Sequence, residues 1–156
     1  MSPEEVVRFC HDQDIKIIDL KFTDMPGTLQ HLSIPLVEFT KQNIQDGYGF
    51  DGSSIRGFMA IEESDMLLIP DPTTAYVDPF YKHPTLTVFA NVIDPITRDY
   101  YSRDPRTVAL KAETYLKESG IGDTSYWGPE LEHFVFDSVR FDQNQQSGYY
   151  FIDSDE

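Results

Sequence analysis

The stretch IKIIDLKFTDMPGTLQHLSIP, residues 15–35, decides the fold. Ile15 and Ile17, followed by Ile18, Leu20 and Phe22, mark a strand with few polar positions. Pro26-Gly27 predicts a type II turn, because glycine accepts the positive φ required at the third position of that turn. TLQHLSIP then returns, with Leu32 and Ile34, as the second arm of a hairpin. Upstream, SPEEVVRFC reads as a capped helix, with Ser2 as N-cap, Pro3 at the first helical position and Glu5 as a capping-box carboxylate. Val6, Phe9 and Cys10 mark one of its faces. Downstream, LVEFTKQNI (36–44) is a short helix candidate with Leu36, Val37, Phe39 and Ile44 as apolar positions. DMLLIPD (65–71) is a short strand, a proline-punctuated loop covers 70–84, and TLTVFANVI (85–93) is the strongest strand. Together they predict an α+β fold on a small mixed sheet.

A domain boundary falls near residue 104. Asp104 can cap a helix with Pro105 at its first position, Val108, Ala112, Tyr115 and Leu116 as apolar positions, and Gly120 closing it. SYWGPELEHFVFDSVRF (125–141) reads as a strand interrupted early by Gly128-Pro129. The tail QNQQSGYYFIDSDE offers a polar turn and a short aromatic strand.

The balance of 27 acids against 12 bases, a formal charge of −15, argues against nucleic-acid binding and against docking on an anionic membrane. Cys10 is the one cysteine, which excludes an internal disulfide framework and points to a small buried hydrophobe. No apolar run approaches a transmembrane length, and the start lacks a secretory signal, so a cytoplasmic setting is expected.

GYGFDGSSIRGF (47–58) contains a formal G-x-G-x-x-G match at Gly47, Gly49 and Gly52. A dinucleotide fingerprint needs a strand before the glycines, whereas the preceding residues are helical in pattern, and Asp51 would repel a phosphate inside the cradle. A kinase-type glycine loop wants a lysine in the next strand, where the nearest echo offers Glu62. What remains is a surface loop with an Asp51-Gly52 turn, or a carboxylate presented on a permissive arm. An ammonium-type ligand, an arginine and a metal are all open as the partner of Asp51.

Glu130 and Glu132 of GPELE form the second constellation. On a strand they share a face, roughly 6.5–7 Å apart. Each could hold one cation of a two-metal site, for which Mg2+ and Mn2+ favour oxygen ligands. A solvated acidic face is the plain alternative; Phe134 and Phe136, continuing the same face, favour a compensated site. His133 falls on the opposite face, and His11, His31 and His83 read as ordinary histidines. Trp127, Tyr149, Tyr150 and Phe151 read as packing residues.

Taken together, KFTDMPGTLQHLSIP, GYGFDGSSIRGF, IEESDMLLIPDPTTAYVDPF, RDPR and GPELEHFVFD closely resemble the amino-terminal third of bacterial type I glutamine synthetases. YFIDSDE looks most like the cyanobacterial branch. The resemblance implies a β-grasp domain over residues 1–103, then the beginning of the antiparallel catalytic domain over 104–156. It implies ATP-dependent ligation of ammonia to glutamate through a γ-glutamyl phosphate, with two divalent cations, Mg2+ or Mn2+. By motif, Glu130 and Glu132 would be metal ligands. Asp51 would help bind ammonium and favour its deprotonation, and Ser54 would shape that region. In the family this loop enters the active site of a neighbouring subunit of a hexameric ring, and two rings stack. Phe58 stands where relatives often have Trp. The matched motifs end with the first catalytic strands, so the chain is expected to be a fragment that is inactive alone. A truncated, non-catalytic β-grasp paralogue that binds partners is the alternative.

Overall fold

The computed structural model describes residues 1–60 and 64–155, so Glu62 lies outside the described residues. Helix α1 (Pro3–Asp12) carries its full capping box: Ser2 Oγ accepts the Glu5 N–H at 3.2 Å, and Glu5 Oε2 accepts the Ser2 N–H at 2.7 Å. It buries Val6 and Cys10 and half-buries Phe9.

Strands β1 (Ile17–Thr23) and β2 (Leu29–Pro35) form the predicted hairpin, with Leu20 opposite Leu32. Its turn sits one residue earlier than predicted. The Gly27 N–H donates to Asp24 O at 3.1 Å, so Met25 and Pro26 are the central residues and Gly27 follows with φ 97°. The buried Asp24 carboxylate sets this register by accepting the Thr28 N–H at 2.7 Å and the Gln30 amide at 2.9 Å.

The helix predicted at 36–44 is split. A 3-10 turn at Leu36–Glu38 precedes α2 (Lys41–Asp46), whose N-cap is Thr40 with Oγ1 accepting the Asn43 N–H at 3.1 Å. A threonine hydroxyl bonds more readily at a helix start than inside one, so the chain restarts there. Phe39 and Ile44 are thereby buried, and Val37 is left 76% exposed.

Strands β3 (Tyr48–Asp51), β4 (Asp65–Pro70), β5 (Tyr76–Val77) and β6 (Thr85–Ile93) complete the sheet, in the order β2-β1-β6-β4-β3. β6 lies parallel to β1, and antiparallel to β5 along its first half and to β4 along its second. As a central strand it buries residues of both faces, which explains its unbroken apolar reading. Ile18, Leu20, Leu68, Leu86 and Val88 join Val6, Cys10 and Ile44 in one core.

The alternate residues of β1 meet a second, polar cluster. Buried Asp19 accepts from Ser33 Oγ at 2.7 Å and lies 2.7 Å from His31 Nδ1. Asp78 accepts the Phe80 N–H at 3.0 Å, Thr87 Oγ1 at 3.2 Å and Lys21 Nζ at 3.4 Å. The segment before β6 is thus tied to the sheet by charge that is satisfied rather than by apolar packing.

Helix α3 (Pro105–Ser119) begins at Asp104 and ends at Gly120, φ 69°, as predicted. Of its predicted apolar positions only Leu116 is half-buried; Val108, Ala112 and Tyr115 are exposed, because none of the described residues of this unit covers that side.

The chain divides into compact units Met1–Thr124 and Ser125–Glu156. The second contains the antiparallel hairpin β7 (Ser138–Gln143) and β8 (Gly148–Asp153), joined by the predicted polar turn, where Asn144 Oδ1 accepts the N–H groups of Gln146 and Ser147. The strand predicted from residue 125 begins only at Ser138. Gly128-Pro129 costs the segment one N–H donor, and among the described residues those at 125–136 pair with no strand; only Asp137 reaches β8, its N–H donating to Asp153 O at 3.0 Å. Trp127, Tyr149, Tyr150 and Phe151, expected to pack, are exposed.

Candidate functional site around Asp51

The glycine-rich stretch is not a loose loop. Its first third is edge strand β3, with Phe50 opposite Met66 and Asp51 opposite Asp65 on β4. Two glycines permit that approach. A Cβ on Gly47, at φ 91°, would lie 2.6 Å from Ile69 Cδ1, and one on Gly52 would lie 2.6 Å from Met66 Sδ and 3.1 Å from Ser64 O. The glycines therefore encode close packing of strands here.

Asp51 ends β3 and caps the 3-10 turn Gly52–Ser54. Its Oδ1 accepts the Ser53 N–H at 2.8 Å and the Ser53 hydroxyl at 2.6 Å, and Ser54 Oγ reaches Oδ2 at 3.3 Å. The Ser53 hydroxyl first, then the Ser53 N–H, holds the Asp51 carboxyl below its ordinary range; slight desolvation opposes this, and the Ser54 and Ser64 hydroxyls add to it. The result is an exposed, ionised carboxylate with one oxygen pinned and the other lightly held.

Beneath the stretch runs a row of aromatic rings. Phe22 lies 5.1 Å from Phe50 and 6.2 Å from Phe58, and Phe58 meets Tyr101 edge-on at 5.2 Å. Phe58 is buried, which accounts for an aromatic residue at that position. Both ends of the stretch are held from the segment that joins β6 to α3. Arg98 donates to the carbonyls of Asp46 at 2.7 Å and Gln45 at 3.0 Å. Tyr101 Oη and Arg103 Nη1 donate to the Phe58 carbonyl at 2.8 and 3.2 Å.

Of the sequence-predicted site residues, Asp51 and Ser54 are brought together. Ser53 makes the stronger contacts, yet its sequence neighbourhood is that of any turn serine. Glu130, Glu132 and His133 belong to the second unit, where they are exposed on a segment without regular structure, so the shared strand face predicted for the two glutamates is absent. Phe134 and Phe136 stack at 6.0 Å but are not buried, so the burial that would have called for a compensating cation is missing. Carboxylate oxygens suit Mg2+ or Mn2+ in chemistry. Among the described residues no group of three or more His, Cys, Asp or Glu is gathered to hold an ion, so the pair is a partial donor set.

Fold and site define a β-grasp sheet presenting one carboxylate from an edge strand. The family model for the glutamine synthetase beta-Grasp domain matches residues 14–95, and that for the glutamine synthetase catalytic domain matches residues 102–156. Glutamine synthetases of Frankia alni and Microchaete diplosiphon are 53% and 50% identical to this chain, over 97% and 98% of its length. The chain spans about a third, 32%, of each relative. A cryo-EM structure of Plasmodium falciparum glutamine synthetase shares the fold, with a TM-score of 0.77 at 23% identity, over 100% of this chain and 30% of that one. The chain belongs to the glutamine synthetase family.

Proposed function

We propose that the chain supplies the β-grasp domain, residues 1–103, and the start of the catalytic domain, residues 104–156, of an ATP-dependent ammonia ligase that makes glutamine. The observation that carries this is the ordered match of both family domains along one chain whose relatives are about half identical to it. In this reading ATP phosphorylates the side-chain carboxylate of glutamate, ammonia attacks the acyl carbon, and phosphate leaves with the electron pair of the broken C–O bond.

Asp51 captures the ammonium ion. A carboxylate held below its ordinary range stays ionised at neutral pH and attracts a cation, so Asp51 is suited to bind and orient ammonium. In this reading it also favours the loss of the ammonium proton that frees the attacking ammonia. Ser53 and Ser54 keep the carboxylate turned outward. Glu130 and Glu132 would hold divalent ions, which when bound neutralise the charge of the transferring phosphoryl group. Pairing of Asp51 with groups of a neighbouring subunit in a ring-shaped homo-oligomer, in the cytoplasm, completes the proposal.

The test joins residues 1–156 in frame to the remaining two thirds of the Frankia alni enzyme and measures ATP-dependent glutamine formation. An active chimera is expected, in which Asp51→Asn raises the KM for ammonium by about tenfold or more while leaving the KM for ATP unchanged. An inactive but folded and assembled chimera would overturn the reading.

A further inference from the structure

We propose that the segment joining β6 to α3 is a clamp that holds the Asp51 stretch in its presenting conformation, with Arg98, Tyr101 and Arg103 as positioning residues. Arg98 grips the chain just before β3 through the carbonyls of Gln45 and Asp46, from a backbone held at φ 65°. A non-glycine residue pays for that conformation only where the surroundings hold it. Tyr101 and Arg103 grip the far end at the single carbonyl of Phe58. A ring contact with buried Phe58 backs the Tyr101 hydroxyl, and Tyr101 is itself tied to the sheet by its N–H, which donates to Val92 O at 2.9 Å.

From the far grip, backbone hydrogen bonds lead back to the residue after Asp51. The Phe58 N–H donates to Ile55 O at 3.1 Å, the Ile55 N–H to Gly52 O at 3.1 Å, and the Gly52 N–H to Ser64 O at 2.7 Å. Gly52 follows Asp51 directly, so releasing Phe58 slackens the turn whose Ser53 N–H and hydroxyl pin the carboxylate. The same segment leads into buried Asp104, which caps α3 and accepts the Val92 N–H at 3.2 Å. The clamp thus sits where the β-grasp sheet hands the chain to the next domain, and it makes the placement of Asp51 depend on that junction. That the clamp serves ammonium capture rests on the function proposed above; that it holds the stretch does not.

The experiment measures amide hydrogen exchange by NMR on the 156-residue chain, together with titration of the Asp51 carboxyl. Tyr101→Phe keeps the ring and removes one donor, Arg103→Ala removes the other, and Arg103→Lys restores a cation. Exchange at Ile55 and Phe58 is expected to rise about tenfold or more in the Tyr101→Phe/Arg103→Ala pair, which removes both hydrogen bonds to the Phe58 carbonyl. Arg98→Ala is expected to do the same at Gly47, whose N–H donates to Asn43 O. The Asp51 titration should move up in the paired variant and return toward the parent value with Arg103→Lys, while β6 amides stay unchanged. Unaltered exchange at 52–58, an Asp51 titration that does not move, or an equal rise along β6 would each overturn the clamp. If the paired variant does not fold, Tyr101→Phe alone is read the same way. No substrate enters this measurement, so its failure is distinct from failure of the ammonium reading.

Discussion

Asp51 owes its low titration to one neighbour that donates twice. Ser53→Ala removes the hydroxyl at 2.6 Å and leaves the N–H at 2.8 Å. The Asp51 titration is then expected to rise toward an ordinary aspartate while staying below it, as followed by carboxyl chemical shift. A carboxylate whose folded pKa is depressed adds stability above its unfolded pKa and loses it as pH falls through the folded value. The stability difference between parent and Ser53→Ala should therefore be present at neutral pH and vanish in acid; a difference that persists in acid would assign Ser53 a packing role instead. Asp51 was legible because a lone carboxylate among glycines stands out. Ser53 was not, since choosing between two adjacent serines requires the turn geometry. Cys10 was legible from its apolar helix face, and burial pushes its thiol up to about 11, which keeps it unreactive.

Among the elements, the helix caps were the most readable, because capping is decided within four residues. Ser2 with Glu5 and Asp104 with Pro105 needed no tertiary information. Asp104 also does something no local pattern shows: its Oδ2 accepts the Val92 N–H of β6 and the Thr107 hydroxyl. Asp104→Ala should therefore cost more than a surface cap, about 2–4 kcal/mol for the lost cap plus a buried unsatisfied N–H. Chemical denaturation would register this as a lower midpoint at constant slope, and a loss of only a few tenths of a kcal/mol would show that water replaces Asp104. β3 was misread as a loop because the glycines that flank it, Gly47 and Gly52, answer to Ile69 and Met66 of β4, well outside any local window, where a Cβ would have no room. The predicted strand over 125–137 failed for the complementary reason: an alternating pattern forms a strand only where a neighbour offers hydrogen bonds.

The whole molecule consists of one well-packed unit and one sparsely packed one. Met1–Thr124 contains the buried core, whereas almost every described residue of Ser125–Glu156 is exposed. Limited proteolysis should cut first within residues 121–137 and leave an amino-terminal fragment that persists several-fold longer, as followed by mass spectrometry. Equal survival of both regions would show that the second unit is protected. By itself the sequence determined the hairpin, the central strand, the caps of α1 and α3 and the family, because each is written in local periodicity, capping chemistry or contiguous motifs. Only the tertiary structure decided which glycines pack and which turn, which serine holds Asp51, and that residues 98–103 grip both ends of its stretch. The last of these depends on groups 40 or more residues apart, Tyr101 with Phe58 and Arg98 with Asp46, and no local pattern carries their distance.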